Sequence, residues 1–180
     1  VITADTALNF PDFRAAERTF QLLTQVAGRT GRGDKAGEVI VQSYTPEHYS
    51  IQMAKEHDYK SFYDFEISFR EVTSYPPFSH LIKVVISDQN EKKVIKLSNK
   101  LGEIISYKLN KLDNDTIELL GPVQAPLSKI RGKFRWQLLL KGKNMEELRG
   151  IIKDSIAETR EISNFKSVKV NVDVDPIGML

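Results

Sequence analysis

The stretch Leu81-Ile-Lys-Val-Val-Ile86 opens the part of the chain whose pattern decides the fold. Its branched aliphatic residues are typical of a buried β-strand, and residues 91–112 then carry apolar side chains at helical spacing. The same spacing predicts a second helix over residues 145–162. The positions expected to face inward are Val94, Leu97, Leu101, Ile104, Ile105 and Leu112 in the first helix, and Met145, Leu148, Ile152 and Ile156 in the second.

Strands are predicted around these two helices. A short strand is expected at residues 117–120, and strand-like stretches flank a hairpin turn at Arg131-Gly132-Lys133, the second of them running over residues 134–140. Residues 168–174 alternate valine with polar side chains, as in a sheet with one buried face. The order strand, helix, two strands, helix, strand predicts an α+β, ferredoxin-like split βαβ domain. It would have a four-stranded antiparallel sheet with both helices on one face.

Residues 47–74, upstream of this domain, are predicted to form one or two helices. Tyr75-Pro-Pro-Phe78 ends the helical segment, because prolines cannot continue a helix and disfavour helical backbone in the residue before them. The segment is rich in large apolar side chains, which could stack on DNA bases but are more often core. We expect core. These residues are Tyr49, Met53, Tyr59, Phe62, Tyr63, Phe65 and Phe69.

The first 45 residues contain one predicted helix and one predicted strand. Asp12 is the expected N-cap of the helix, and the apolar residues that follow it have helical spacing. Residues 38–44 are rich in valine and isoleucine, as in a strand. Because one helix and one strand cannot bury both apolar faces, we expect this segment to be poorly supported or to pack in a non-native way.

The octet Gln25-Val-Ala-Gly-Arg-Thr-Gly-Arg32 lies at the end of that predicted helix. Arginine keeps its charge and presents a planar fork of donors that matches phosphate oxygens. Gly28 and Gly31 would allow the backbone to turn sharply between the polar side chains. The pattern is typical of an arginine-finger element. The alternative is that Arg29 and Arg32 are surface charges at a helix C-terminus, where cations are mildly favoured.

The octet resembles the last conserved motif of superfamily 2 helicases, and the residues before it extend the likeness. Ala4-Asp5 and the run from Pro11 to Thr24, together with several downstream stretches, resemble the bacterial primosomal replication-restart DNA helicases. The downstream stretches are Gly37-Glu-Val-Ile-Val-Gln42, Tyr75-Pro-Pro-Phe78, Gly121-Pro122 with Ala125-Pro126, Arg131-Gly-Lys-Phe-Arg-Trp-Gln137 and Asp173-Val-Asp-Pro176. The resemblance implies an ATP-dependent 3′ to 5′ DNA helicase that recognises stalled forks and initiates primosome reassembly.

The resemblance also implies a division of the chain and roles for single residues. Residues 1–46 would be a remnant of a RecA-like helicase lobe, 47–77 a helical connector, and 78–180 the ferredoxin-like C-terminal domain. Gln25, Arg29 and Arg32 would be catalytic and, with Gly28, would bind ATP. No Gly-x-x-x-x-Gly-Lys-Ser/Thr loop occurs, and the chain begins at Val1 without methionine. We therefore expect a C-terminal fragment that does not hydrolyse ATP by itself.

Cofactors and location follow from the same resemblance and from composition. ATP and Mg²⁺ would act in the intact protein, and zinc only in an upstream cysteine cluster, since this chain has no cysteine. The three histidines lack metal-ligand spacing, so no metal is expected here. No apolar run approaches the roughly 18 residues of a membrane helix, and no signal peptide is visible. The expected location is the cytoplasm, in association with the nucleoid.

A net charge of +2 does not by itself indicate nucleic-acid binding, so the distribution of charge matters. Residues 121–143 carry six lysines and arginines and no acidic residue. Within this run we predict Lys129, Arg131, Lys133 and Arg135 as the DNA-binding residues, with a solvated strand face as the alternative. The expected partners are branched and single-stranded DNA, single-strand-binding protein and primosome proteins, with no membrane partner.

A ferredoxin-like sheet also occurs in the RNA-recognition module, whose aromatic residues stack on bases. Here, however, Phe134 and Trp136 alternate in phase with two leucines, which predicts that they point into the core. The outward set would be Lys133, Arg135, Gln137 and Lys141. The competing function is a non-enzymatic ferredoxin-like module that binds nucleic acid or associates with the ribosome, in which the octet is coincidental.

Overall fold

Two separately packed units make up the chain, residues 1–72 and residues 73–180. They are seen in a computed structural model that describes residues 2–28, 38–112, 116–162 and 167–179. This division differs from the predicted one in three parts. The helices of the predicted connector belong to the first unit, because they supply the apolar surface on which that unit packs.

The first unit is mostly helical, with one pair of very short strands. Its elements are β1 (Ile2–Thr3), α1 (Asp5–Leu8), α2 (Ala15–Ala27), β2 (Val41–Gln42), α3 (Tyr49–Lys55) and α4 (Tyr59–Val72). The strand predicted over residues 38–44 is therefore only two residues long. It pairs in parallel with β1, with Ile2 opposite Val41. This ladder is too short to establish a RecA-like lobe.

The core of the first unit lies where α2 meets α3 and α4. Phe20 of α2 stacks on Phe62 of α4, with ring centroids 4.2 Å apart and an interplanar angle of 12°. Leu23 of α2 and Ile51 of α3 are buried in the same cluster. Of the two outcomes expected for residues 1–45, poor support is therefore wrong for the residues described, because α3 and α4 cover the apolar face of α2. Non-native packing stays a prediction.

The aromatic residues of α4 divide between core and surface. Phe62 is 3% exposed, and Tyr49 and Met53 of α3 pack against the same cluster. The others lie on the flanks of α4 and are about half exposed or more, contrary to the expectation that the whole set forms core. These are Tyr59, Tyr63, Phe65 and Phe69.

Helix α2 begins later than Asp12 predicts. Its N-cap is Arg14, and no side chain caps this end. Asp12 instead forms the turn before the helix, where its carboxylate accepts a hydrogen bond from the Arg14 N–H at 2.9 Å. The other carboxylate oxygen of Asp12 lies 2.9 Å from the Arg18 guanidinium. Asp12 is thus a turn and ion-pair residue at the start of α2.

The second unit has the predicted order of elements. They are β3 (His80–Asp88), α5 (Glu91–Leu112), β4 (Glu118–Ile130), β5 (Lys133–Gly142), α6 (Met145–Ile162) and β6 (Lys169–Val174). The strands form one antiparallel sheet in the order β4-β5-β3-β6. This mixed α/β arrangement is compatible with a ferredoxin-like domain.

Both helices cover the same face of the sheet. Ile82, Val84 and Ile86 of β3 point to this face and are fully buried with Leu138 and Leu140 of β5. The helices contribute most of the other buried side chains of this core, which are Val94, Leu97, Leu101 and Ile105 from α5 and Leu148, Ile151 and Ile152 from α6. Among the predicted inward positions Leu112 is an exception, since it is 53% exposed at the end of α5.

The opposite face of the sheet is covered at its centre. Lys83 of β3 is only 4% exposed, and its Nζ donates a hydrogen bond to the Gly178 carbonyl at 2.8 Å. Lys141 of β5 is 8% exposed, and its Nζ donates to the Thr73 carbonyl at 2.8 Å. The segments before β3 and after β6 therefore lie over this face. The prediction that Lys141 points to solvent is wrong, because these segments bury it.

Candidate functional site

The predicted catalytic segment begins on the last turn of α2. Gln25 lies there with an exposed side chain, whereas Phe20 and Leu23 are on the buried face of the helix. Gly28 is the C-cap, and its N–H donates to the Thr24 carbonyl at 3.0 Å. Arg29 and Arg32 lie outside the residues that the structure describes. Of the predicted site, the structure thus gives the positions of Gln25 and Gly28.

Gly28 does not use the conformational freedom that the sequence argument assigned to it. Its φ of −66° and ψ of −12° are ordinary right-handed helical values, which any residue can adopt. A Cβ at this position would meet the Thr24 carbonyl oxygen at 3.4 Å, which is ordinary contact. Gly28 is therefore not required for a sharp turn directly at the end of α2.

A buried charge network that no sequence motif predicts connects α2 with α3 and α4. Arg70 of α4 donates from Nε to Glu66 at 3.0 Å and from Nη2 to Glu17 of α2 at 2.7 Å. The Tyr49 hydroxyl of α3 donates to the second oxygen of Glu66 at 2.6 Å. The guanidinium also lies over the Phe13 ring, 5.4 Å from its centroid. Glu17 of α2, Glu66 of α4 and the Phe13 ring therefore contact one arginine, and α3 joins the network through Glu66.

Electrostatics within this network favour the charged arginine. Burial by itself would lower the pKa of Arg70, but its hydrogen bonds to Glu17 and Glu66 outweigh burial and raise the pKa. Burial raises the pKa of Tyr49, and the hydrogen bond to Glu66 raises it further. Tyr49 therefore stays a protonated donor, and Arg70 stays a cation between two carboxylates.

The predicted DNA-binding residues lie at the end of the β4–β5 hairpin. Arg131 and Gly132 form a two-residue turn with φ values of +48° and +77°, as a type I′ turn requires. The last residue pair between β3 and β5 joins Asp88 to Phe134, so the turn projects beyond β3. No carboxylate of the described residues forms an ion pair with any of the four cations. The hairpin end is thus a positively charged projection.

The four cations do not share one face of this hairpin. Lys129 is opposite Phe134 on the side of the helices, and its Nζ lies 4.4 Å from the Phe134 ring centroid. Lys133 and Arg135 are on the other side, where Arg135 donates to the Leu127 carbonyl at 3.2 Å. Lys133 and Arg135 therefore lie on one face of the hairpin, Arg131 lies at its tip, and Lys129 lies on the opposite face.

The aromatic residues of β5 are not a base-stacking surface. Phe134 and Trp136 are half-buried and pack against the core on the face that the helices cover. This confirms their predicted orientation. On the opposite face, the centre of the sheet is occupied by the buried Leu81, Lys83 and Val85. The arrangement that an RNA-recognition module uses is therefore not available at the centre of this sheet.

Neither membrane-spanning helices nor metal sites are found among the described residues. The apolar stretches of the described helices are too short or too polar to cross a bilayer. The described part of the chain also contains no group of three or more histidine or acidic side chains that could hold a metal ion.

Comparison with known families agrees with this architecture. The profile of the family described as "Primosomal protein N C-terminal domain" matches residues 71–177, which is more than half of the chain and nearly all of the second unit. The chain belongs to the primosomal protein N C-terminal domain family. The family segment thus includes the whole β4–β5 hairpin and the sheet that supports it.

The similarity to members of this family extends over the first unit as well. The chain is 39% identical over 180 residues to the Replication restart protein PriA of Bacillus subtilis, covering 100% of this chain and 22% of that protein. It is 40% identical over 181 residues to the protein of the same name from Synechocystis, with 99% and 20% covered. For Rickettsia felis the identity is 36% over 173 residues, with 96% and 26% covered. The chain thus spans about a quarter or less of the length of these relatives.

Proposed function

We propose that this chain is the C-terminal portion of an ATP-dependent 3′ to 5′ DNA helicase that recognises stalled or branched forks and initiates primosome reassembly for replication restart. The observation that carries this proposal is the similarity of the whole chain, octet included, to proteins named Replication restart protein. The helicase activity rests on the likeness of residues 25–32 to a superfamily 2 motif. A protein with this function would act in the cytoplasm, on the DNA of the nucleoid.

In the proposed reaction, this chain contributes one side of the ATP site. Residues 1–46 would be the remnant of a RecA-like lobe, in which α2 carries Gln25 and leads through Gly28 to Arg29 and Arg32. The two arginines would stabilise the negative charge that develops during phosphoryl transfer, and Gln25 would help to order the nucleotide or the attacking water. The exposed position of Gln25 at the end of α2 supports this role.

The test is the change Arg32→Ala in the full-length protein. Removal of an arginine finger lowers the rate of phosphoryl transfer by about 10³ to 10⁵. We expect loss of DNA-stimulated ATP hydrolysis and unwinding with nearly unchanged DNA affinity, measured by ATP turnover, strand separation and fluorescence anisotropy. Unchanged unwinding by this variant would remove the assignment of Arg32.

Metal ions would be held outside this chain. Mg²⁺ would be bound with ATP by the opposite lobe, where it neutralises phosphate charge, and zinc by a cysteine cluster upstream. The chain itself has no cysteine, and the described residues form no carboxylate or histidine cluster that fits either ion. This chain's proposed contribution is therefore its arginines and its DNA-contacting surface.

The β4–β5 hairpin is the proposed contact with branched and single-stranded DNA. Arg131 and Lys133 are exposed at its end, and cationic side chains on a projecting strand pair can follow phosphates without reading bases. Lys129 and Arg135 would extend this contact on the two faces of the hairpin. Single-strand-binding protein and primosome proteins are the proposed protein partners of the same C-terminal unit.

The change Arg131→Asn tests the hairpin without weakening the fold. Asn-Gly is the preferred type I′ turn, so relief of the left-handed arginine should raise stability by up to about 1 kcal/mol. If Arg131 contacts a phosphate, the slope of log affinity against log salt should fall by about 1. Lys143→Gln removes one charge outside the hairpin and is the control. Equal salt slopes for the wild type and Arg131→Asn would contradict the contact.

A further inference from the structure

Helix α2 is held against α4 by a contact whose chemistry differs from the rest of the core. Glu17, on the first turn of α2, accepts a hydrogen bond of 2.7 Å from Arg70 of α4. Glu66, one turn before Arg70, binds the same guanidinium at 2.9 and 3.0 Å. Gln25 follows Glu17 by eight residues on the same continuous helix. The contact thus connects α4 to the element that ends at the catalytic segment.

We propose that Glu17, Glu66 and Arg70 form a positioning network that sets the rotation and height of α2 against α4, and so the placement of Gln25 at the end of α2 for ATP hydrolysis. This inference rests on the proposed function. None of the three residues touches ATP. They act through α2, whose 13 residues from Ala15 to Ala27 form one uninterrupted helix.

Directionality is the reason to assign positioning to this network. Phe20 and Phe62 stack through flat apolar faces, which tolerate sliding and small rotations. Arg70 instead binds Glu66 through Nε and Nη2 and Glu17 through Nη2, and a planar fork satisfies both carboxylates only in a narrow range of helix positions. The apolar cluster therefore holds α2 and α4 together, whereas the guanidinium defines where they meet.

Burial strengthens the same assignment. Arg70 is 9% exposed and Glu66 is 6% exposed, so a shift of α2 away from Arg70 would leave charge poorly compensated in a low-dielectric environment. The Tyr49 hydroxyl holds the second oxygen of Glu66 and prevents the carboxylate from turning with the arginine. A buried ion pair adds little to stability compared with apolar packing, and its better-supported use is to select one arrangement.

The experiment uses the full-length protein and the change Glu17→Ala. This change removes the α2 end of the network and leaves the Arg70–Glu66 and Glu66–Tyr49 contacts in place, so the fold should be retained. A displacement of about 1 Å in an active site can lower the rate about 10²-fold. We expect that decrease in kcat for DNA-stimulated ATP hydrolysis, with KM for ATP and DNA affinity near wild-type values and with circular dichroism showing a folded protein at the assay temperature. Arg70→Lys should likewise lower kcat without changing KM for ATP, because a lysine cannot bind both carboxylates at once.

Arg18→Gln is the matched control. Arg18 is also on α2 and forms a 2.9 Å ion pair, but with Asp12 rather than with α4. Its ATP hydrolysis should equal that of the wild type. Wild-type kcat in both Glu17→Ala and Arg70→Lys would overturn the inference, and so would an equal loss in Arg18→Gln. An inactive wild type, or a fully active Arg32→Ala variant, would instead contradict the proposed function.

Discussion

At the scale of single residues, His48 connects the N-terminus of α3 to the charge network. Its Nδ1 accepts a hydrogen bond from the Ser50 N–H at 3.2 Å and lies 2.9 Å from the Ser50 hydroxyl. Burial lowers the pKa of His48, and the charge of Glu66 opposes this only in part. The neutral ring is thus the form that caps the helix.

His48 should make the stability of the first unit depend on pH. Because its folded pKa is lowered, its contribution is present above the ordinary value of 6.5 and is lost as the pH falls through the lowered folded pKa. His48→Asn keeps a capping acceptor that does not titrate, so the melting temperature of this unit should depend less on pH below 6.5 in this variant than in the wild type. The same pH dependence in His48→Asn as in the wild type would contradict this role of His48.

Gly121 is a second position at which single-residue identity matters, because its backbone conformation requires glycine. Its φ is +93°, and a Cβ there would lie 2.8 Å from the Gln137 carbonyl oxygen. Gly121→Ala should therefore destabilise the second unit by about 1–3 kcal/mol, measured by chemical denaturation. Gly150→Ala, with nothing within 4 Å on an exposed turn of α6, should stabilise it by about 0.5–1 kcal/mol. Equal effects of the two changes would contradict the strain at Gly121.

At the scale of elements, the packing of α4 on α2 should decide whether the first unit folds. Phe62→Ala removes a fully packed ring from the stack with Phe20 and should cost about 3–5 kcal/mol. Phe65→Ala, on the same helix but 48% exposed, should cost about 1 kcal/mol or less. Circular dichroism during urea unfolding checks both. Similar losses for the two variants would place Phe65 in the core, contrary to the structure.

The elements that the sequence predicts well are those with a long, regular pattern. Helices α5 and α6 have the predicted bounds, because apolar side chains repeat with helical period over several turns. Residues 117–120 and the stretch before Arg131 are predicted as separate strands, but the structure joins them in one strand, β4, from Glu118 to Ile130. Gly121 and two prolines interrupt its alternation, and the ladder absorbs them through register shifts after Leu120 and Gln124. A strand of this kind is recognised only when its partner β5 is in place.

At the scale of the whole molecule, the sequence lacks a phosphate-binding loop of the Gly-x-x-x-x-Gly-Lys-Ser/Thr type. A pure preparation of this chain should therefore show no DNA-stimulated ATP hydrolysis, because its arginines have no nucleotide-holding partner. A coupled assay with and without single-stranded DNA tests this. Turnover that co-purifies with the chain would contradict the proposed division of the ATP site.

The candidate sites differ in how far the sequence could predict them. Lys129, Arg131, Lys133 and Arg135 are close in sequence, so their clustering at a hairpin end follows from the predicted turn. Glu17 and Arg70 are 53 residues apart, and each has the polarity of a surface residue. No local pattern connects them, because they meet only after α2 and α4 have packed together.

The sequence alone determined the order of elements in the second unit, both of its helices and the likeness of the whole chain to its family. These features depend on periodicity and on short motifs, which are local properties. Tertiary structure alone decided that α3 and α4 complete the first core, that Lys83 and Lys141 are buried, and that Arg70 joins two helices. The physical reason is that burial and ion pairing depend on distances between segments remote in sequence, and only the packed chain defines those distances.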